Sequence, residues 1–137
     1  MKEMEAFLKV WEDAPQRTKA AFVRLQEHLA AKRDVSFTFK ARPGVSYSLR
    51  ARHAGQKVRP LFIIMDVIDD DQSSRWLSVC FYPDMITDSE ERGILIPFGL
   101  LGEDGYCFDL EEWDEKYLCY LEARMDEAYE SFLDRGG

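Results

Sequence analysis

Apolar residues recur with two different periods along this chain, and the switch between them divides it into helical and extended parts. Met4, Phe7, Leu8 and Trp11 follow the i, i+3, i+4, i+7 spacing that places side chains on one face of a helix. Asp13-Ala14-Pro15 ends that helix and opens the next, because proline's fixed φ and missing N–H suit a first turn. Thr18, Phe22, Leu25 and Leu29 then draw an apolar line along a longer helix. Lys32 and Arg33 close it, where cations suit the helix dipole.

From Val35 onward the alternation is that of strands. Val35, Phe37, Phe39 and Ala41 alternate with Ser36, Thr38, Lys40 and Arg42. After Pro43-Gly44, Val45, Tyr47, Leu49 and Ala51 alternate with Ser46, Ser48, Arg50 and Arg52. Two such runs around a Pro-Gly turn predict a hairpin with one buried and one wet face. Phe39 is expected opposite Tyr47, across either a three-residue loop Arg42–Gly44, with Gly44 left-handed, or a five-residue connection. Leu61–Ile68 and Trp76–Tyr82 are nearly continuous apolar runs, which predicts central strands covered on both faces or nearly so. A weaker strand is expected over Gly93–Phe98, confined to an edge by Pro97, and a short last one over Tyr106–Phe108. Asp109 and Glu112 have the spacing of a capping box for a C-terminal helix. That helix buries Trp113, Tyr117, Tyr120, Leu121, Ala128 and Phe132 and ends at Gly136-Gly137. The order predicts an α+β fold: an antiparallel sheet of about five strands with the N-terminal and C-terminal helices packed on one face. Residues 1–137 form a single domain in this reading, with no repeat or linker to divide them.

Composition supports a folded chain and charge adds a direction to it. Hydrophobic residues make up 46%, including nine Phe, six Tyr and three Trp, which excludes disorder. Residues 1–65 carry 13 Lys and Arg against six acids, whereas residues 66–137 carry five against 20. From Val35 to Met65 there is no acid, but there are six bases. Such a field steers an anionic partner, binds the two halves of the fold to each other, or docks one copy head-to-tail on another. Cys80, Cys107 and Cys119 are odd in number and widely spaced, which argues for thiols, a reducing compartment and the cytoplasm. No segment has the form of a signal peptide or of a membrane span.

The wet hairpin face is the candidate site. Lys40, Ser46, Ser48, Arg50 and Arg52, with Ser36 and Thr38, set small hydroxyls among long cations, a chemistry suited to carboxylate or phosphate. Any solvated strand face shows the same alternation. Elsewhere the chemistry is thin. Asp69-Asp70-Asp71 lacks the ligand spacing of a calcium loop and reads as a solvated connection, and Thr87–Glu91 reads as a capped helical turn. The glycines at 99, 102 and 105 read as turns, since they lack the context of a nucleotide loop. Cys80 and Cys119 read as small core residues, His28 lies beside the apolar line of its helix, and Cys107 has an exposed setting. Cys107 with His53 is the one arrangement open to nucleophilic catalysis, without a third orienting group. No metal or cofactor motif is expected. Nucleic acid is disfavoured by the pI of 4.8 and by alternation that puts Phe37, Phe39 and Tyr47 opposite the cations.

The segments ARPGVSYSLRA, RWLSVCFYPDMITD and GLLGEDGYCFDL resemble those of small uncharacterised bacterial proteins of the cytoplasm. The resemblance covers most of the chain and implies one compact domain, with no activity or site residue attached. The functional expectation is a non-enzymatic module that binds an anionic small molecule or an acidic protein segment through the hairpin. The alternatives are salt-sensitive self-association into a homo-oligomer and a small enzyme using Cys107 and His53.

Overall fold

The computed structural model describes residues 1–135, without the side chains of Phe132, Asp134 and Arg135. The expected burial of Phe132 and the end at Gly136-Gly137 therefore lie outside the described residues. Helices α1 (Lys2–Val10) and α2 (Thr18–Ala30) precede strands β1 (Val35–Arg42), β2 (Ser46–His53), β3 (Ile63–Ile68) and β4 (Trp76–Phe81). A short 3-10 turn (Pro83–Met85) leads to β5 (Ile94–Leu100) and β6 (Glu103–Leu110), and helix α3 (Glu115–Arg135) closes the chain. The fold is α+β, with six strands in a single antiparallel sheet of order β1-β2-β3-β4-β6-β5. The sixth strand is gained from the Gly-rich segment. Glu103–Leu110 extends well past the short expected strand and inserts between β4 and the edge strand β5.

Strand alternation sends one set of side chains to the helices. Phe39 and Tyr47 meet Phe7, whose ring lies 3.8 Å from that of Tyr47. Leu49, Met65, Val79 and Phe108 continue the layer across the sheet onto α2 and α3. In the register, Phe39 faces Leu49 and Ala41 faces Tyr47, two residues away from the expected pairing. The three-residue loop is Pro43-Gly44-Val45, so proline takes the first loop position and avoids the second, where it is disfavoured. Gly44 is left-handed at φ 83°, as the turn requires. A shift of two residues preserves side-chain parity, so both faces keep their expected residues. Near-continuous burial of β3 and β4, including the outward Ile64 and Cys80, bears out the expected coverage on both faces or nearly so, although no helix among the described residues packs on the outer one.

Three polar positions depart from the sequence reading. Asp109 lies in β6, and Asp114 caps α3 instead, accepting the Tyr117 N–H at 3.2 Å. Asp88 is not part of a helical turn; its carboxylate accepts from the Tyr106 and Tyr120 hydroxyls and from the Arg92 and Gly93 N–H groups. Burial pushes this carboxyl up, but those hydrogen bonds outweigh it and hold the group at about 2. Asp69, far from being solvated, is 2% exposed. It accepts Arg75 Nε at 2.7 Å and the Gly44 N–H at 2.8 Å, tying the β1–β2 turn to the β3–β4 loop. Of the three consecutive aspartates, only Asp70 and Asp71 are exposed. Removing one member of a buried pair leaves the other charge uncompensated. Asp69→Ala is therefore expected to cost about 4 kcal/mol in urea unfolding, and a loss below about 1 kcal/mol would refute a structural role for the pair.

Candidate functional site

Since the described helices pack on one side, the other face of the sheet carries no helix, and register gives its composition. Cross-strand partners share a face, so it can be read in rows across the strands. One row is Lys40, Ser48, Asp66, Ser78 and Asp109, all polar. The adjacent row is Thr38, Arg50, Ile64, Cys80, Cys107 and Ile94, which turns apolar after Arg50. Arg42 and Ser46 lie beyond the polar row, and Ser36 and Arg52 beyond the apolar one.

All five expected site residues, Lys40, Ser46, Ser48, Arg50 and Arg52, thus share this face. Lys40 and Arg52 are exposed and Arg50 is half-buried, its Nε donating to Ser48 Oγ at 3.3 Å. Ser46 and Ser48 are buried between the strands beside them. Among the described residues, Lys40, Arg42, Arg50 and Arg52 form no ion pair. Arg24 and His28 of α2, with Lys32 just beyond it, behave differently. Arg24 binds Glu115 at 2.8 Å and Glu122 at 3.0 Å, while His28 and Lys32 converge on Asp126. Arg59 on the β2–β3 loop is also paired, with Asp84 and Glu103. The charge asymmetry therefore has two parts: attraction between α2 and α3, and a free cationic patch on β1 and β2.

A concavity of about 320 Å³ lies on this patch. Ser36, Thr38, Arg50 and Arg52 line one side, and Pro60, Leu61 and Leu101 the other. Leu101 belongs to the β5–β6 turn, three strands away from β2 in the sheet order, so the sheet curls toward its open face. A larger concavity of about 640 Å³ lies at the other end of the molecule. Asp70, Asp71, Glu111 and Glu112 line it, which repels anions.

Sequence reasoning missed Asp66. Its Oδ1 is buried without a hydrogen-bond partner in the middle of the open face. Burial pushes its carboxyl above the ordinary value of 3.8, against the pull of Ser48, Arg50 and Arg42. The signal available in the sequence was a lone acid at the polar position of an apolar run, LFIIMDVI.

The cysteines and His53 require correction. Cys80 and Cys107, directly paired between β4 and β6, form a disulfide. Cys107 is 6% exposed, so it is neither exposed nor a free thiol. His53 faces the helices beside Tyr129, whereas Cys107 is on the open face, so the sheet separates the two. Cys119, expected in the core, is exposed beside Arg24 and Glu115. One cross-strand pair hidden in an odd count removes the cysteine argument for a reducing compartment. No helix among the described residues is long and apolar enough to cross a membrane.

No protein-family model, curated protein or solved structure matches the chain. The site is therefore read from its own geometry.

Two expectations follow for this face. The disulfide joins residues 27 apart, and its loss through Cys80→Ala with Cys107→Ala should cost about 3 kcal/mol. Urea midpoints of oxidised, reduced and variant protein check this, and equal midpoints would contradict it. For Asp66, a raised pKa means the carboxyl gains its proton earlier than usual as pH falls, which removes a charge that opposes anions. Sulfate affinity should rise on acidification, and Asp66→Asn should give about fivefold tighter binding at neutral pH with a flat profile. A variant that keeps the native pH profile would rule Asp66 out as the titrating group.

Proposed function

We propose that this chain is a non-enzymatic binding module whose open sheet face takes an anionic small molecule. The observation that carries the reading is that Lys40, Arg42, Arg50 and Arg52 share one face without an ion pair among the described residues, whereas Arg24, Lys32, Arg59 and Arg75 are matched to acids. Unpaired arginines with hydroxyls beside them offer charge-assisted hydrogen bonds to carboxylate or phosphate. The concavity between Arg50, Arg52 and Leu101 is at the small end of ligand-site volumes, which favours a small molecule over an acidic protein segment. A cytoplasmic setting and a bacterial origin belong to the same proposal and rest on sequence alone.

The second reading, a homo-oligomer, draws on the exposed acids Asp70, Asp71, Glu111 and Glu112 at the opposite end. A basic face and an acidic end on one chain are complementary between copies, and such contacts weaken as salt screens them.

Inorganic phosphate titrated into the native protein and into Arg50→Glu with Arg52→Glu tests the first reading. Loss of two charge-assisted contacts should weaken phosphate binding about a hundredfold, with the urea midpoint unchanged. Equal binding by the two proteins would refute the anion site. Light scattering on the same samples at low salt addresses the second reading, which predicts a mass that falls in the charge-reversed variant.

A further inference from the structure

We infer that this protein forms a two-fold dimer through the edge strand β5, whose partner is the same strand of a second copy. The inference does not depend on the anion reading, and it uses a different surface from the charge-driven association above.

The sheet has two edges, β1 and β5, and they differ in chemistry. An edge strand offers unpaired N–H and C=O groups to another chain, and folds that stay single blunt it with charge. On β1, Lys40 and Arg42 stand exposed and do this. On β5 nothing does. Gly93–Gly102 is a run of ten residues without a charged side chain, the longest in the sequence. Every residue from Ile94 to Gly99 is exposed. Ile94 is 63% and Ile96 44% exposed on the face without helices, since they pair with Cys107 and Gly105. Leu95, opposite Tyr106 and so on the other face, is 50% exposed. Both faces of the strand are therefore bare, as well as its edge. Apolar side chains exposed singly need no explanation, whereas a contiguous apolar patch marks an interaction surface.

The backbone adds to this exposure. The register shifts between Ile96 and Leu100, and Phe98 takes φ 57°, a left-handed conformation that is costly for a bulky residue. The Phe98 N–H donates to Asp104 Oδ1 at 3.1 Å, which holds the irregularity in place. Its ring is left 77% exposed. A strained backbone that presents an aromatic ring to water is accounted for by a partner that covers the ring.

A second copy suits this edge on three counts. Identical strands related by a two-fold axis run antiparallel, as all pairs in this sheet do, and their contact is self-complementary. Two uncharged runs also meet without repulsion. Covering Ile94–Gly99 would remove roughly 500 Å² from each copy, about 1,000 Å² for the pair, which reaches the size of a specific interface. Pro97 lacks an N–H and shortens the hydrogen-bonded stretch, so side chains carry most of the contact. The joined sheet then ends in two cationic β1 strands, which stops growth at two copies.

Light scattering on the native protein, over a dilution series at low and high sodium chloride, tests the inference. The expected mass is twice the chain's 16.0 kDa and does not fall with salt, because an apolar contact is not screened. Ile96→Lys with Phe98→Asn should weaken the pair at least about a hundredfold and give the mass of one chain. Both side chains are exposed and asparagine tolerates a left-handed φ, so this variant keeps the fold, which circular dichroism verifies. The mass of one chain for the native protein at every concentration would overturn the inference. A pair that survives in the variant would overturn it too, by removing β5 from the interface. Dissociation both by salt and by Arg50→Glu with Arg52→Glu would assign the contact to charge instead.

Discussion

The buried contact between Asp69 and Arg75 is the constraint on which the arrangement of this sheet depends. One carboxylate oxygen takes the Arg75 Nε, and the other takes the Gly44 N–H at the tip of the β1–β2 turn. The Arg75 guanidinium in turn lies over the rings of Phe7 and Tyr47, and its backbone carbonyl accepts the Thr18 hydroxyl at the start of α2. A single pair thus fixes the cationic hairpin, the β3–β4 loop and the first two helices relative to one another. Such a pair is no guarantee of stability, because desolvating two charges costs several kcal/mol that only good geometry and further hydrogen bonds offset. Here those bonds are present, and they fall on the hairpin turn that sets the register of the cationic face.

The same economy explains why the charge asymmetry is divided. Cations on α2 lie against an acidic α3, so pairing within the fold is geometrically available to Arg24, His28 and Lys32. The outward side chains of β1 and β2 have no helix above them. Their strand neighbours on that face are mostly hydroxyls and one another, and Asp66 acts on Arg50 and Arg42 without forming an ion pair with either. For the bases of β1 and β2, parity therefore decides that no helix acid lies within reach.

Parity was also the part of the structure legible in the sequence. Alternation assigned Lys40, Ser46, Ser48, Arg50 and Arg52 to one face, and that assignment survives a two-residue error in register because the error is even. The helical lines through Phe7 and Phe22 were legible for the same reason: period identifies a buried face without reference to its partner. What long-range pairing decides was not legible. Nothing local in Cys80 and Cys107 reveals that β6 inserts beside β4, and only that insertion sets the two residues opposite each other. Asp69 read as solvated and Asp88 as part of a capped helical turn because acids in polar loops usually take local or solvent partners, while their true partners include the β1–β2 turn, β6 and α3.

Three aspartates on this chain show how environment, not residue type, assigns a role. Asp69 is buried and paired, so its charge is spent inside the fold. Asp88 is hydrogen-bonded by Tyr106 and Tyr120, which anchors the approach to β5 onto β6 and α3. Asp66 alone keeps a buried oxygen without a partner. A native fold tolerates few such groups, and each asks for a cause. Structural need does not supply one here, since Ser48 and Ser78 flank Asp66 and a neutral side chain would sit there at lower desolvation cost. Its position sets it beside the cations instead: Asp66 lies one strand from Arg50, and both Arg50 and Arg42 pull its carboxyl toward the charged form. An unsatisfied buried oxygen beside cations without ion pairs is a conflict between local chemistry and stability of the kind that Asp69 and Asp88 avoid.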